Sequence, residues 1–225
     1  MAGENRATAR ELAQRHLAAG DPLGWFDVLY SADDPALIPW ADLEPNPNLV
    51  GWLESRSVAG AGRRALKIGC GLGDDAEELA LRGFNTTAFD VSPAAIAWCH
   101  RRFPASVVEY VVADLLQAPA EWTGTFDLVV ESYTLQVLPP ALRSEAAARV
   151  AGFVAPGGEL LVIARAREAG ESEGQMPWPL TRGEMDAFCR AGLVELDFED
   201  YLDGEDPAVR RFRATYTRPT DSSTA

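Results

Sequence analysis

The chain has few basic residues, few histidines and cysteines, and no long apolar run, and each shortage removes a class of protein. Twenty Lys and Arg stand against 34 Asp and Glu, for a net charge of −14. Beyond the pairs Arg63-Arg64, Arg101-Arg102 and Arg210-Arg211 there is no basic cluster. The concentrated cationic face that a phosphate backbone requires is missing, which disfavours nucleic acid as a substrate. The three cysteines, Cys70, Cys99 and Cys189, are odd in number and fall in a strand-loop or in predicted helices, so no disulfide framework is expected. Both histidines, His16 and His100, lie in predicted helices and are read as structural or solvent-exposed rather than as general bases. No His/Cys/Asp grouping at ligand spacing suggests a metal. No apolar run approaches the roughly 18 residues of a membrane span, and the polar start does not read as a signal peptide. No repeat of about 20 to 50 residues is apparent. The expectation is one cytoplasmic chain whose 225 residues, 47% of them hydrophobic, bury a single core.

What the chain does contain is a nucleotide-type loop. Arg64 to Ile68 is apolar apart from Lys67 and runs into Gly69-Cys70-Gly71-Leu72-Gly73, followed by a helix that opens on Asp74-Asp75. Glycines at such a turn allow a sharp bend and a close approach of backbone to ligand. A dinucleotide fingerprint G-x-G-x-x-G needs its third glycine at position 74 and sets a pyrophosphate on the helix N-terminus. Two carboxylates there satisfy the helix dipole themselves and repel phosphate. The loop suits a nucleoside without phosphates, and S-adenosylmethionine is the common cofactor of that kind. Asp90 closes the next β-rich run, 21 residues after Gly69, where an acid accepts hydrogen bonds from ribose hydroxyls. Asp114 closes the run after that.

Downstream the pattern alternates: strand 64–69, helix 74–82, strand 85–90, helix 93–102, strand 107–112, strand 126–131, helix 139–152 and strand 158–165. Alternation of this kind specifies a parallel sheet with helices on both faces. Thr181 and Glu184 form a capping-box pattern before a helix to about Arg190. Two β-rich runs, 193–201 and 209–217, are joined too closely to be parallel. Ahead of the loop, residues 6–19 read as a helix, 24–40 as an aromatic-rich stretch broken by prolines, and 46–59 as a second helix begun at Asn46-Pro47. Three parts are expected: an N-terminal helical and aromatic extension over 1–60, a core over 61–218, and a disordered tail over 219–225.

Five motifs in order carry a resemblance: Gly69-x-Gly71-x-Gly73, Phe89-Asp90, Ala113-Asp114-Leu115, Phe126 to Val130, and Val154 to Gly158. From Arg64 to about Phe212 the chain resembles the class I, Rossmann-like S-adenosylmethionine-dependent methyltransferases. The resemblance implies an α/β fold, a doubly wound, mostly parallel seven-stranded sheet with a C-terminal antiparallel strand. It implies a cofactor site in which Gly69, Gly71 and Gly73 meet the methionine part, Asp90 with Val91 the ribose, and Asp114 with Leu115 the adenine, with Glu131 close by. The family usually has an acid two residues before the first glycine. Here Lys67 stands in its place, and an ammonium cannot accept a hydrogen bond from the cofactor's amino group. The segment from Trp25 to Pro47-Asn48 is similar to that of the thiopurine methyltransferase-like branch, which implies a lid in which Trp25 and Trp40 cover the cofactor.

The carboxyl end of the fourth core strand, Glu131-Ser132-Tyr133, faces the transferable methyl in that family. This makes Glu131 and Tyr133 the candidates for chemistry, and Tyr133, Gln136 and Trp178 the candidates for contact with a small-molecule methyl acceptor. Arg165 and Arg167 are read as pairing at the surface with Glu168 and Glu171 in preference to binding an anionic substrate. With no base identified, the acceptor needs to be nucleophilic near neutral pH, which puts a thiol first and a hydroxyl or amine second. The rivals are a non-catalytic protein that binds the cofactor and an NAD(P)-dependent oxidoreductase. The acceptor itself, the pathway and the oligomeric state are not encoded in these motifs.

Overall fold

The computed structural model describes residues 2–32 and 34–220. Seven strands, β1 (Arg64–Ile68), β2 (Asn85–Asp90), β3 (Glu109–Val112), β4 (Phe126–Ser132), β5 (Val154–Arg165), β6 (Val194–Leu202) and β7 (Arg210–Thr217), form one sheet. Their spatial order is β3-β2-β1-β4-β5-β7-β6. The first five strands are mutually parallel, while β7 runs antiparallel between β5 and β6. The order reverses at β1, whose neighbours are β2 and β4, and that reversal opens the crevice in which ligands of open α/β sheets bind.

The strands alternate their side chains between two buried layers. Leu66, Ile68, Val129, Leu160, Val162, Phe212, Ala214 and Tyr216 face a core shared with helix α6 (Pro140–Phe153) and the short helices α7 (Arg182–Met185) and α8 (Ala187–Arg190). Ala65, Leu128, Val130, Leu161 and Ile163 face the opposite side, covered by α3 (Pro47–Ser55) and α4 (Asp74–Leu81). Strands buried on both faces explain why β1 and β4 read as near-continuous apolar runs. Helix α5 (Pro93–Arg102) begins at Ser92, whose hydroxyl accepts the Ala95 N–H at 3.1 Å, with Pro93 in the first turn.

The elements follow the pattern in the sequence, with ends shifted by one or two residues, as at β3, which starts at Glu109 and not 107, and with four larger adjustments. Helix α1 spans Ala2–Ala18, starting earlier than residue 6. Helix α3 stops at Ser55 and not near 59, because Ser57 turns left-handed (φ 50°). The Val58 and Ser57 N–H groups then return to the Leu53 and Glu54 carbonyls, a Schellman ending. Strand β5 begins at Val154, four residues early, since Val154 pairs with Phe126 across a register shift. The Thr181/Glu184 capping box is present, but the helix it starts divides at Asp186 into α7 and α8. Of the expected tail, residues 221–225 lie outside the described residues.

The aromatic stretch is α2 (Gly24–Tyr30) followed by a single 3-10 turn, 35–37. Asp27 fastens it: one carboxylate oxygen accepts from the Ser92 hydroxyl at 2.7 Å and from the Ala94 N–H at 3.0 Å, so α2 supplies an extra cap to α5. No helix among the described residues is long and apolar enough to cross a membrane.

Candidate functional site

At the carboxyl edge of β1, β2 and β4 the chain encloses a cavity of about 590 Å³, within the usual range of roughly 300–1,000 Å³ for small-molecule sites. The glycine loop forms its floor. Gly69 and Gly71 hold φ of 56° and 54°, a left-handed backbone that suits glycine. Gly73 (φ 97°) shares that backbone but lies outside the cavity wall, and a Cβ there would come within 2.7 Å of the Tyr110 hydroxyl, so it lets the start of α4 approach β3 and α5.

Asp90 is buried at the end of β2 and anchors the loop. Its two oxygens accept the Gly71 and Ser92 N–H groups, each at 3.0 Å, and it still borders the cavity. Burial pushes its carboxyl above the usual value, against the pull of those two N–H groups. Asp114 turns the chain after β3 by accepting the Leu116 N–H at 2.9 Å, and with Val91 and Leu115 it completes the same end of the wall.

The two carboxylates at the start of α4 have separate partners. Asp74 forms a bidentate pair with Arg102, at 2.6 and 2.7 Å. Asp75 accepts the Asn46 N–H at 2.8 Å and the Ser132 hydroxyl at 3.1 Å. Lys67 is buried, donates to the Ile68 carbonyl at 2.8 Å and stands 3.6 Å from Asp75, so the departure at this position is held inside the protein by a carboxylate of its own.

Glu131 lies beneath this floor rather than in the wall. One oxygen accepts the Thr134 and Leu135 N–H groups, at 2.8 and 3.0 Å, and the other, buried, meets no donor among the described residues. Burial pushes its pKa up to about 7, with the Leu135 N–H, Lys67 and the Thr134 N–H opposing. Tyr133 does border the cavity, in a left-handed conformation (φ 64°) that is uncommon for a side chain of this size and recurs at functional sites. Its hydroxyl accepts from Asn48 Nδ2 at 3.2 Å, and the Arg211 guanidinium lies 4.9 Å from its ring centre. Gln136 is buried: its side-chain oxygen accepts the Arg165 N–H at 2.8 Å and its carbonyl the Trp178 N–H at 2.7 Å. Trp178 is therefore tethered beside the site but is not part of its wall, where Met176 and Pro177 stand instead.

Trp25 and Trp40 separate in the same way. Trp25 is 1% exposed and packs in a cluster with Leu29, Tyr30 and Ile38, away from the cavity. Trp40 is 38% exposed, borders the cavity, and donates to the Tyr30 hydroxyl at 2.9 Å. Sequence reasoning missed several wall residues: Arg10, Asn46, Asn48, Glu205 and Arg211. Asn46 and Asn48 were visible as the start of α3 and, for Asn48, as the end of the lid-like segment, and the others carry no motif. His16, bonded to Asp21 at 3.0 Å, and His100, exposed, stand outside the cavity.

The expected pairs of Arg165 and Arg167 with Glu168 and Glu171 do not form: Arg167 is paired with other carboxylates and meets Glu171 only at its backbone carbonyl. Arg167 reaches Glu173 at 3.2 Å and Glu184 at 3.6 Å. Arg165 turns into the cavity, and its guanidinium has no carboxylate partner among the described residues. Glu168, the expected partner, pairs with Arg210.

Residues 65–158 match the family model described as a methyltransferase domain. Among curated proteins, the ubiquinone biosynthesis O-methyltransferase of Pseudomonas aeruginosa (strain UCBPP-PA14) is 35% identical over 120 residues, 52% of this chain and 50% of that protein. The chain thus spans about half the length of the curated relatives it matches. Among solved structures, one described as "Conversion of a Disulfide Bond into a Thioacetal Group during Echinomycin Biosynthesis" superposes with a TM-score of 0.71 at 20% identity, covering 88% of this chain and 92% of that one. The N-methyltransferase NodS from Bradyrhizobium japonicum WM9, in complex with S-adenosyl-L-homocysteine, gives a TM-score of 0.67 at 23% identity over 86% and 96%. At these identities the structural likeness speaks for the fold alone, a Rossmann-like one, and residues 65–158 within it are similar to a methyltransferase domain.

Proposed function

We propose that the protein is an enzyme that binds S-adenosylmethionine in this cavity and transfers its methyl group to a small molecule, with a hydroxyl as the first choice of accepting atom. The observation that carries the cofactor is the pairing of the glycine loop with Asp90. The carboxylate is buried, uses one acceptor site per oxygen on the backbone, and keeps its remaining lone pairs for ligand hydroxyls. A phosphate would meet Asp90 and Asp114 along this wall, whereas an uncharged nucleoside joined to a cation meets favourable charge.

When bound, the cofactor supplies an activated methyl on a sulfonium, so the protein's part is positioning and desolvation. Gly69 and Gly71 let the backbone follow the ligand, Asp90 holds the ribose, and Asp114 with the backbone at Leu115 frames the base. Tyr133, Gln136 and the 176–177 loop wall the side from which an acceptor approaches. Asn46, tied to Asp75, and Trp40 close the outer edge and keep water out. Burial raises the Tyr133 phenol above its usual value, with Arg211 opposing, so it is a neutral hydrogen-bonding group at neutral pH and not a base. A hydroxyl acceptor must therefore be acidic, as a phenol is. The preference for oxygen over the thiol favoured by the sequence is supported by the O-methyltransferase relatives, and small-molecule chemistry and a cytoplasmic setting go with the same reading.

S-adenosylhomocysteine should raise the melting temperature while NADH should not, a native-state ligand adding about 2.7 kcal/mol at a hundredfold excess over Kd. Asp90→Ala should weaken that binding by tenfold to a hundredfold or more, roughly 1.5–3 kcal/mol per charge-assisted hydrogen bond. A shift with NADH alone, or calorimetry giving unchanged affinity for a folded Asp90→Ala, sinks the cofactor site. Release of S-adenosylhomocysteine from a panel of phenols, thiols and amines tests turnover, and the accepting atom follows from which class is used.

A further inference from the structure

The cavity has a second charged end, opposite in sign to the first. At the β5/β7 side Arg165 and Arg211 sit directly across from one another in the antiparallel register. Like charges facing across a strand pair destabilise a sheet unless each is compensated. Arg211 is: it is 3% exposed, donates to Asp203 at 2.6 Å and to Glu205, and lies over the Tyr133 ring. Arg165, half-buried in the same wall, is not.

A chain with 34 acidic residues could readily have supplied a carboxylate here. A partly desolvated guanidinium without an ion pair of its own is an expensive arrangement. The side chain springs from a fixed point, since its backbone N–H is bound by Gln136 and the neighbouring Ala166 bridges to Leu180. Burial, and then the like charge of Arg211, pull its guanidinium below the ordinary value, with Glu205 opposing and Arg6 adding to the pull. Arg6 and Arg10 also border the cavity, as do the acids Asp42 and Glu44, while Glu205, the acid of the β6–β7 connection, is taken up by Arg211. The cavity lining also carries an apolar and aromatic set, Leu23, Phe26, Tyr133, Leu138, Met176 and Pro177, beside polar groups such as Gln136 and Asn48.

We propose that Arg165 is the anion-binding residue of the acceptor subsite and that the methyl acceptor is a small carboxylic acid with a flat apolar body, its carboxylate on the Arg165 guanidinium. This rests on the methyl-transfer reading of the same cavity. The planar fork of Arg165 matches a carboxylate two oxygens at a time, and the monoanion is the lesser burden on a cavity that also carries several acids. The apolar stretch accommodates the body of the acceptor and leaves its nucleophile toward the cofactor end.

The test uses inert probes, so that it does not depend on knowing the acceptor. The full chain, with and without S-adenosylhomocysteine, is titrated with benzoate, benzamide and phenyl phosphate. Benzoate should bind at least tenfold more tightly than either of the others. In Arg165→Met the preference should fall below twofold, and Arg165→Lys should restore part of it. Arg165→Met should melt at the same or a higher temperature, because it removes one of two facing cations, and its S-adenosylhomocysteine affinity should stay within twofold. Equal binding of benzoate and benzamide, no binding of any probe, a preference that survives in Arg165→Met, or tighter binding of phenyl phosphate each overturns the proposal. Failure to bind S-adenosylhomocysteine, with the benzoate preference intact and dependent on Arg165, overturns the cofactor reading and leaves the anion subsite standing.

Discussion

The two ends of the cavity are made differently. The cofactor end is built from a run of neighbours, Gly69 to Asp75, and from the first residues after β2 and β3, and its contacts are mainly to backbone: Asp90 to Gly71 and Ser92, Asp114 to Leu116. The acceptor end is assembled from α1, α2, the start of α3, the ends of β4 and β5, and the β6–β7 connection, and its contacts join side chains far apart in the chain. Tyr201 donates to Asn48 Oδ1 at 2.6 Å across 153 residues of sequence. A backbone cradle fixes one ligand in one pose, whereas a wall of side chains on six segments can be altered one residue at a time. On the proposed reading the first end holds the cofactor and the second selects the acceptor.

The largest test of this contrast asks whether the acceptor end is as firmly folded as the cofactor end. Trp25 stacks on Phe26 at 3.9 Å, donates to the Pro22 carbonyl at 3.1 Å and is 1% exposed. Trp25→Ala should cost about 3–5 kcal/mol, the usual penalty for a fully buried ring. Denaturant unfolding measures it. A loss under about 1 kcal/mol would mean that the extension is a loose appendage and that the acceptor wall is not part of the fold.

Glu131 sits where the two ends meet, and it gives the second test. Its ordinary carboxyl value of 4.5 is raised by burial to about 7 in the fold. Between those values the folded state binds the extra proton, so stability falls as pH rises from about 4.5 to 7 and is flat above. The slope is on the order of 3 kcal/mol in total. Glu131→Gln keeps an acceptor for the Thr134 and Leu135 N–H groups and removes the titration. The difference in stability between wild type and variant should therefore be small at pH 4.5 and grow in the variant's favour toward pH 8. Asp90, also raised by burial, contributes a slope of the same sign to both proteins and cancels in the difference. No pH dependence in that difference would place Glu131 outside the low-dielectric floor. Turnover in Glu131→Gln should persist, since the carboxyl does not reach the cavity, and a collapse of kcat with normal stability would make it the missing base.

The same contrast explains what could be read from the sequence. The glycine loop, Asp90, Asp114 and the strands β1, β2, β4 and β7 were legible because each is a local pattern: an apolar run, a turn residue, an acid at a strand end. The early start of β5 was not, because Val154 joins the sheet by pairing with Phe126, and pairing across the sheet leaves no mark on its own neighbourhood. Asp27 capping α5 from 67 residues away at Ala94 left no local signal either. Arg165 was misread for the reverse reason. Glu168 nearby in sequence offered a plausible partner, but in the fold Glu168 meets Arg210. Glu131, at the right strand end, was read as a group in the site and lies one layer below it.

The smallest effect on stability, and the sharpest on function, is expected at Trp40. It is held by one hydrogen bond to Tyr30 and by edge contacts to Trp25 and Tyr30 with ring centres 6.0 and 6.2 Å apart. Being 38% exposed, it should cost about 1–2 kcal/mol when cut to alanine, the sum of one hydrogen bond and a weak ring contact. Its position on the cavity rim predicts more for turnover. If residues 22–45 tighten over bound cofactor, Trp40→Ala should lower kcat/KM at least tenfold, because water then reaches a displacement that depends on desolvation. Saturating S-adenosylhomocysteine should also slow hydrogen exchange across 34–45, around Trp40, more than across 24–30, which α2 already protects by its packing. Equal protection of both stretches without ligand, together with kcat/KM unchanged in Trp40→Ala, would make the whole extension a fixed wall. Its contribution would then be the shape of the acceptor end alone.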